Sequence, residues 1–419
     1  MAVPADLGRH RRGRRLMAAS VIVAGAGPVG AVLALSLARS GLNVTLVEAE
    51  TAVNDAPRAA TVHPSTLDML GDLGLMDDIV ARGLVCRYFD HWDRPARTLT
   101  ARFDHELLRG DTAHPFVVQI EQHKIVGMVL DRLAAAANVD VRLGTRVADF
   151  TQDAAGVTVT VEAPDGAQER LTADYLVGAD GGRSTVRKLA GIEFEGYTWP
   201  ERFLVLTTAF DFQAEWDCSF RSYFADPDEW VNLFKVAGDD GRGRWRAVFA
   251  TAEDETDSEA LSDEVVARRL SRLANGANPA DQLLHRNIYR VHQRVAVTFR
   301  SGRVFLAGDA AHVNNPIGGL GMNCGIHDAA ELAETLVTAG TAADDAALEV
   351  YNARRRPLNI EFIQQQTIAN KKRLEERDPE QRAARAAELA ATAADPERHR
   401  QFLLRSSLLA SVAKARTLA

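Results

Sequence analysis

Three glycines and one acid near the start of the chain have the types and spacing that bind the phosphates and a ribose of a dinucleotide. The segment GAGPVG follows a short apolar run and contains Gly25, Gly27, Pro28 and Gly30, and Glu48 ends the next apolar run. The first glycine allows a tight turn, the second lets the pyrophosphate approach the backbone, and the third lets helix and strand pack closely. The helix N-terminus favours phosphate, and the acid accepts from ribose hydroxyls, which disfavours a 2′-phosphate. The segment therefore predicts FAD or NAD, rather than NADP, in this pocket.

A second glycine and acid cluster lies in the middle of the chain. The sequence YLVGADGGRST places Asp180 and Gly181 directly after an apolar run, and Ser184 follows at a position suited to cap a helix. Taken alone, this pattern is equally an ordinary strand-to-helix turn. The pattern indicates a cofactor site only in combination with the other glycine-rich segments.

A third segment, GDAAHVNNPIGGLGMN, joins a short apolar run to a run with helical periodicity. A two-residue turn would suffice for that connection, so the many flexible residues indicate that something large and flat lies against the backbone. The N–H groups at the helix start would give that face a positive potential.

Together these segments resemble the FAD-dependent aromatic hydroxylases, the group A flavoprotein monooxygenases typified by para-hydroxybenzoate hydroxylase. The resemblance covers roughly residues 20–360 and implies that all three segments surround one FAD. It implies that Asp309 holds the ribityl hydroxyls. It also implies that the backbone of residues 318–323 lines the pyrimidine edge of the flavin, where negative charge gathers on reduction. The family resemblance implies that the residues of the third segment in the cofactor pocket are Gly308, Asp309, Pro316, Gly318, Gly319, Leu320, Gly321, Met322 and Asn323.

Two further residues match the family, and one segment departs from it. The resemblance implies that Arg58 lies beside the flavin and the pyrophosphate and that Gln122, at the start of a predicted helix, binds the ribityl chain; a surface arginine and a plain helix-start glutamine are the alternatives. The family often has two prolines before the paired glycines, whereas this chain has Asn315-Pro316. That departure predicts an extra polar group near the reactive face of the flavin.

The implied reaction is hydroxylation of a phenol or an aromatic acid. NADH or NADPH reduces the flavin and leaves, O2 adds at C4a, and the hydroperoxide oxygenates the electron-rich ring. The absence of a second GxGxxG suits a nicotinamide that docks transiently. The alternatives are an oxidase, reductase or halogenase on the same scaffold, a flavin-binding protein without turnover, and an NAD-dependent dehydrogenase.

Candidate substrate contacts are fewer and are argued from spacing. Arg221 and Tyr223 stand two residues apart in a predicted strand, so both point to one face, where they could bind a carboxylate or phenolate. An ordinary pair at a sheet edge is the alternative. His63 and His91 are candidate acid–base groups, with structural roles as the alternative, and His312 is expected to be structural. No residue is assigned as catalytic in the strict sense, and no metal site is predicted.

The predicted fold is α/β, a discontinuous Rossmann-like FAD-binding domain with an inserted β-sheet substrate domain and a helical C-terminal extension. The extension packs on the body or on a second subunit, so a homodimer is among the expected partners. The assigned ranges are 1–16 for a disordered basic tail, 17–85, 115–192 and 303–365 for the FAD-binding domain, 86–114 and 193–302 for the substrate domain, and 366–419 for the extension. Within them we expect a hairpin over 141–163, strands over 203–212, 219–224, 230–236 and 245–250, and a helix over 263–273.

Composition excludes some partners. A net charge of −8 disfavours nucleic acid, and no apolar stretch is long enough to cross a membrane. The three cysteines, Cys86, Cys218 and Cys324, are far apart and odd in number, which indicates neither a disulfide framework nor a metal cluster and favours a reducing cytoplasm.

Overall fold

The computed structural model describes residues 18–274, 277 and 279–418. The predicted basic tail over residues 1–16 lies outside these described residues. In chain order the strands are β1 Ser20–Ala24, β2 Asn43–Glu48, β3 Thr61–Val62, β4 Leu84–Cys86, β5 Tyr88–Asp93, β6 Thr98–Asp104, β7 Val117–Gln119, β8 Val139–Leu143, β9 Arg146–Gln152, β10 Val157–Glu162, β11 Gln168–Ala173, β12 Tyr175–Gly178, β13 Phe194–Thr208, β14 Arg221–Ala225, β15 Val231–Val236, β16 Arg244–Ala250, β17 Leu283–Ala296, β18 Arg300–Ser301, β19 Val304–Leu306 and β20 His312–Val313.

The α-helices are α1 Pro28–Arg39, α2 Pro64–Asp72, α3 Met76–Arg82, α4 Gln122–Ala134, α5 Thr185–Leu189, α6 Phe212–Trp216, α7 Asp257–Ala260, α8 Asp263–Leu273, α9 Gly321–Ala339, α10 Asp345–Leu358, α11 Gln365–Leu374, α12 Pro379–Ala394, α13 Pro396–Ser406 and α14 Leu409–Ala415. A π-helical turn, Asn359–Gln364, joins α10 to α11, and short 3₁₀ turns lie at His105–Leu108, Pro279–Gln282 and Gly308–Ala310.

A six-stranded sheet in the order β18-β19-β12-β1-β2-β8 forms the first layer, and all its pairings except β18–β19 are parallel. The strands β1 and β12 are almost wholly buried, as expected for parallel strands covered on both faces. Helices α1 and α9 pack against each other beside this sheet. Because parallel strands end at one edge, the segments after β1, β2 and β12 meet there.

The predicted hairpin over residues 141–163 is wrong in its first strand. Strand β8 pairs in parallel with β2 and completes the six-stranded sheet, while β9 pairs with β10, and β10 with β11, in a separate antiparallel sheet. The positive φ of 68° at Gly144 turns the chain between the two sheets. Alternation alone does not distinguish a parallel edge strand from the first arm of a hairpin.

An eight-stranded sheet in the order β20-β17-β13-β16-β15-β14-β5-β6 forms the second layer. The predicted strands over 219–224, 230–236 and 245–250 correspond to β14, β15 and β16, and the helix predicted over 263–273 is α8. Strand β13 ends at Thr208, earlier than predicted, because Asp211 caps α6 by accepting from the Gln213 N–H. Strand β17 was not predicted, since its many charged residues obscure the alternation.

The C-terminal helices pack on the body of the chain. Leu374, Leu389 and Leu403 are buried in one cluster with Phe103 of β6, and His399 accepts from the Asp104 N–H at 2.8 Å. The predicted packing of this extension on the body is therefore confirmed. Among the described residues, no helix combines the length and apolar composition that crossing a membrane requires.

Candidate active site

A cavity of about 820 Å³ lies between the two large sheets. On one side it meets the carboxyl ends of the parallel strands, through Gly25, Glu48 and Asp180. On the other side it meets the inner face of the eight-stranded sheet, through residues such as Arg221 and Tyr223. The volume lies within the range usual for small-molecule and cofactor sites.

The first glycine segment forms the tight turn that its spacing predicts. Gly25 has a φ of 102°, which favours glycine, and it lines the cavity together with Gly27 and Pro28. Gly30 does not line the cavity: a Cβ there would lie 1.9 Å from the Gly25 carbonyl oxygen, so it serves the close packing of helix on strand. The free N–H groups of the first turn of α1 therefore stand at the cavity wall.

Glu48 holds the glycine turn as well as facing the cavity. Its Oε2 accepts from the Ala26 N–H at 2.7 Å, and its Oε1 accepts from the Glu50 N–H at 2.9 Å. Each carboxylate oxygen keeps a further lone pair for a ligand hydroxyl. The acid predicted to bind ribose thus also fixes the loop beside it.

Asp180 is largely occupied by the protein. Its carboxylate accepts from the Ser184 hydroxyl at 2.5 Å and from the Thr185 and Val186 N–H groups at 2.7 and 3.1 Å. It therefore caps α5, whose predicted Ser184 cap is also present. Gly181 lines the cavity with a φ of 78°.

Asp309, Arg58 and Gln122 all line the same cavity, although they come from three separate segments. The Asp309 side chain is exposed, and it lines the cavity, where the surrounding protein still limits its hydration. Burial raises the pKa of its carboxyl group, and His312 and Arg58 partly oppose that rise. Gly308 does not line the cavity; its N–H donates to Asp328 Oδ2 at 3.0 Å.

Some residues of the third segment line the cavity, and others support that lining from behind. Pro316, Gly319, Leu320, Gly321 and Met322 line the cavity, and α9 begins at Gly321 with free N–H groups in its first turn.

Gly318 and Asn323 support the segment from behind. The Gly318 carbonyl accepts from His63 Nε2 at 2.9 Å and from Arg221 Nη2 at 3.1 Å. Asn323 Nδ2 donates to the carbonyls of Gly319 and Thr61 at 2.6 and 2.8 Å. Spacing in the sequence does not separate residues that form the wall from those that hold it.

The expectation that Asn315 adds a polar group at the cavity is wrong. Its side chain is fully buried and points away, where Nδ2 donates to Gln293 Oε1 at 3.2 Å and Oδ1 accepts from the Ile317 N–H at 3.1 Å. The adjacent Asn314 lines the cavity instead.

Neither candidate histidine lines the main cavity. His63 is fully buried before α2 and supports the Gly318 carbonyl; burial lowers the pKa of its imidazole well below the ordinary value. His91 is buried behind Tyr223, in a T-shaped ring contact at 5.6 Å, and burial likewise lowers its pKa. Both are neutral at neutral pH, and neither is placed to contact a ligand in the main cavity.

Arg221 and Tyr223 share one face of β14, as predicted, and both side chains line the cavity. They are not a sheet-edge pair, because β14 lies between β15 and β5. The Arg221 guanidinium lies 4.1 Å from the ring centroid of Phe89. Among the residues the structure describes, no carboxylate forms an ion pair with Arg221, although this arginine is only 4% exposed.

Residues on the neighbouring strands complete this wall and were missed from the sequence. Asn232 pairs with Tyr223 across the sheet, and Arg246 pairs with Phe234. Arg246 is buried without an ion pair in the described part of the chain, and its Nη1 donates to the Arg58 carbonyl at 2.7 Å. The signal that could have found them is the two-residue period of β15 and β16. The other such residues on the sheet face are Val205, Val248, Asn287 and Tyr289.

The part of the cavity beside the glycine turns fits a dinucleotide such as FAD. Gly27 lines the cavity, and a Cβ added there would meet no protein atom within 4 Å, so the protein leaves open space at this position. The turn and helix start beside it offer N–H groups to phosphates, while Glu48 and Asp309 offer acceptors to hydroxyls.

Comparisons with known proteins agree with this geometry. A family described as "FAD binding domain" matches residues 18–366. The para-nitrophenol 4-monooxygenase of Pseudomonas sp. (strain WBC-3) is 38% identical over 391 residues, covering 92% of this chain and 94% of that protein. The 6-hydroxy-3-succinoylpyridine 3-monooxygenase HspB of Pseudomonas putida (strain DSM 28022 / S16) is 34% identical over 368 residues, covering 86% and 90%.

Solved structures give the same result. The crystal structure of p-nitrophenol 4-monooxygenase PnpA from Pseudomonas putida DLL-E4 superposes with a TM-score of 0.86 at 34% identity, covering 94% of this chain and 98% of that chain. A ternary complex of aklavinone-11 hydroxylase with FAD and aklavinone superposes with a TM-score of 0.73 at 26% identity, covering 85% and 69%. The chain therefore belongs to the FAD-binding-domain family of FAD-dependent aromatic hydroxylases, and it is an aromatic monooxygenase that uses FAD.

Proposed function

We propose that this enzyme oxygenates small phenols that bear a polar substituent para to the hydroxyl group. The observation that carries the proposal is the pair Arg221 and Tyr223, which face the cavity from the middle of the sheet, with Arg221 buried and without a carboxylate partner in the described chain. A buried cation that lacks a protein anion is costly unless a ligand supplies the negative group.

We propose that FAD lies in the part of the cavity between the two glycine turns and α9. Gly25, Gly27 and Pro28 would hold its pyrophosphate, Glu48 the ribose, and Asp309 the ribityl chain. The remaining cofactor contacts are those of the sequence prediction that line the cavity, Arg58, Gln122, Gly181, Pro316, Gly319, Leu320, Gly321 and Met322. When bound, FAD takes electrons from NADH or NADPH and activates O2 for insertion into the ring.

The division of the chain follows from this placement. We assign residues 17–85, 115–192 and 303–365 to FAD, and residues 86–114 and 193–302 to the substrate, because the six-stranded sheet and the eight-stranded sheet face the cavity from opposite sides. A cytoplasmic location and a homodimeric assembly stay predictions. The three cysteines are free and buried, which is compatible with a reducing compartment.

The substrate class is supported by the names of two relatives. Para-nitrophenol and 6-hydroxy-3-succinoylpyridine each carry a ring hydroxyl and a polar substituent opposite it, and the locants in both names put the oxygen at the substituted carbon. The wall of this cavity suits such a ring, because apolar side chains from Phe234, Val205 and Val248 alternate with polar ones. Arg221 and Tyr223 would bind one end of the ring by charge-assisted and neutral hydrogen bonds.

The sheet also keeps water from the reacting groups. Its inner face closes the cavity opposite the glycine segments, and Leu320 and Pro316 close it on the side of α9. Exclusion of water strengthens each electrostatic contact inside the site and protects reactive species from hydrolysis. The N–H groups at the start of α9 place positive potential on the wall where negative charge would develop.

The test is a screen of para-substituted phenols for stimulated NAD(P)H oxidation under labelled O2. With 4-nitrophenol, oxygenation at the nitro-bearing carbon forms a C–O bond and breaks the C–N bond. Per turnover one NAD(P)H and one O2 are consumed, and one quinone, one nitrite and one water are released. We expect nitrite and NAD(P)H in a ratio near one for a good substrate. Stimulation only by phenols that lack a para substituent would overturn the substrate class, and an unlabelled product at full coupling would overturn oxygen insertion.

Arg221→Met is expected to raise the substrate KM by roughly 10- to 150-fold, the loss of a hydrogen bond to a charged group worth about 1.5–3 kcal/mol. FAD content should not change, because Arg221 is not among the residues assigned to FAD and His63 still supports the Gly318 carbonyl at 2.9 Å. The measurement is steady-state kinetics with the best phenol together with flavin absorbance of the purified protein.

Arg97→Met is the matched control for that substitution. Arg97 also lies over an aromatic ring, 3.9 Å from the Trp216 centroid, but outside the cavity. Its KM should stay at the wild-type value. If Arg221→Met behaves like Arg97→Met, Arg221 has only a packing role.

A further inference from the structure

The loop between β20 and α9 is held from behind by side chains of α9, α11, β14 and the segment that precedes α2. We call residues 314–320 the flavin-edge loop, because FAD is proposed to lie against it. The Ile317 carbonyl accepts from Asn370 Nδ2 at 3.1 Å, and the carbonyls of Gly318 and Gly319 are taken by Arg221, His63 and Asn323. These carbonyls therefore face the protein and leave the cavity side to other groups.

The central support is a chain of buried amides. Gln364 Oε1 accepts from Gln293 Nε2 at 2.5 Å, and Gln293 Oε1 accepts from both the backbone N–H and the Nδ2 of Asn315, at 3.1 and 3.2 Å. Gln364 Nε2 also donates to the Val313 carbonyl at 3.2 Å. We call Gln364, Gln293 and Asn315 the amide relay; they are 8%, 3% and 0% exposed.

The relay joins three parts of the fold. Gln364 ends the π-helical turn between α10 and α11, a local irregularity that often marks functional sites. Gln293 lies on β17, whose residues Asn287 and Tyr289 have the same strand parity and line the cavity. Asn315 belongs to the flavin-edge loop itself. The relay thus connects a C-terminal helix and the substrate-facing sheet to the cavity wall.

The relay also decides which loop residues face the cavity. Successive residues of an extended segment point to opposite sides. With Asn315 drawn away from the cavity by Gln293, its neighbours Asn314 and Pro316 line it. A change of register by one residue would place the Asn315 amide in the cavity and withdraw Pro316.

We propose that Gln293 and Gln364 are positioning residues for the oxygenation reaction: through Asn315 they hold the flavin-edge loop in the register that presents Pro316 and the N–H groups of the α9 start to the flavin. The proposal rests on the placement of FAD given above. Its consequence is that loss of the relay lowers the reaction rate and alters the flavin environment without removing FAD.

The test compares Gln293→Leu and Gln364→Leu with the wild type as full-chain holoenzymes. We expect full FAD content, a more negative midpoint potential of the bound flavin, and, with 4-nitrophenol, a kcat that is lower by roughly 10- to 100-fold at a KM changed by less than about threefold. The double variant Gln293→Leu with Asn315→Leu should lose little more than Gln293→Leu alone, because the two residues act as one unit.

Asn138→Ala is the matched control, since Asn138 Nδ2 also holds two backbone carbonyls, those of Ala38 and Leu42, but far from the cavity. It should lower the melting temperature and leave the flavin potential at the wild-type value.

If both relay variants only lose melting temperature in the same way, the relay is structural and the proposal is overturned. The potential needs no substrate, so failure of 4-nitrophenol as a substrate would count against the proposed function and not against the relay. If Gln293→Leu does not fold, Gln364→Leu provides the same two readouts.

Discussion

Gly27→Val is expected to yield a folded protein that has lost its flavin colour. The backbone at Gly27 has φ −64° and ψ 178°, which any residue adopts, and a Cβ there meets no protein atom within 4 Å. The substitution therefore leaves the protein's own packing intact and fills the space where the pyrophosphate would approach the backbone. We expect the FAD dissociation constant to rise by at least about 100-fold, which corresponds to about 2.7 kcal/mol.

The measurements are the flavin absorbance of the purified protein and thermal unfolding of the apo form. Gly127→Ala is the matched control: Gly127 is also open within 4 Å and lies inside α4, away from the cavity. It should remain yellow and gain up to about 1 kcal/mol of stability, because alanine is the better helix residue. A fully yellow Gly27→Val protein would show that the cofactor lies elsewhere.

Asp328→Asn is expected to reduce the free energy of unfolding by about 3–5 kcal/mol, the usual cost of leaving buried charge unpaired. Asp328 is completely buried; its Oδ2 accepts from His312 Nε2 at 2.6 Å and its Oδ1 accepts from Arg355 Nε at 2.7 Å. The same carboxylate holds the Gly308 N–H beside Asp309, so FAD affinity should also fall. Urea unfolding of the apo protein and FAD titration measure the two effects.

The buried pair of His312 and Asp328 also predicts that the free energy of unfolding depends on pH. Burial opposes a charge on His312, but the neighbouring Asp328 carboxylate outweighs it and raises the pKa of the imidazole from 6.5 to about 10. For Asp328, burial is likewise outweighed by His312 and Arg355, which lower its pKa from 3.8 to about 2. The His312 contribution is therefore complete below pH 6.5 and is lost as the pH rises through 10, whereas the Asp328 contribution is complete above pH 3.8 and is lost as the pH falls through 2.

The stability difference between wild type and Asp328→Asn should therefore shrink between pH 7 and pH 10. Asp68→Asn is the control, because Asp68 also pairs with a histidine, His114, at 2.8 Å, but both side chains are partly exposed. That substitution should cost about 0–1 kcal/mol. An Asp328→Asn protein as stable as Asp68→Asn would contradict the assignment of a charged buried pair.

The elements that depend on local chemistry were predictable from the residues alone. The bounds of β1 and β2 were predicted from their apolar runs, and the glycine turn between β1 and α1 follows from the need for a positive φ at Gly25. The pairing of Arg221 with Tyr223 on one face follows from the two-residue period of a strand. The family also follows from the sequence, because three separate motifs occur in one order along the chain.

Long-range contacts determine which motif residues form the cavity wall and which support it from behind. Gly318, Asn323 and Gly308 lie within the predicted motifs, but their polar groups bond to the protein behind the wall. Asn315 turned away from the cavity because Gln293, a residue of the unpredicted strand β17, bonds to it. The direction of these side chains depends on hydrogen-bond partners that are distant in sequence. The spacing of residues within one helix or strand indicates only which of them share a face of that element.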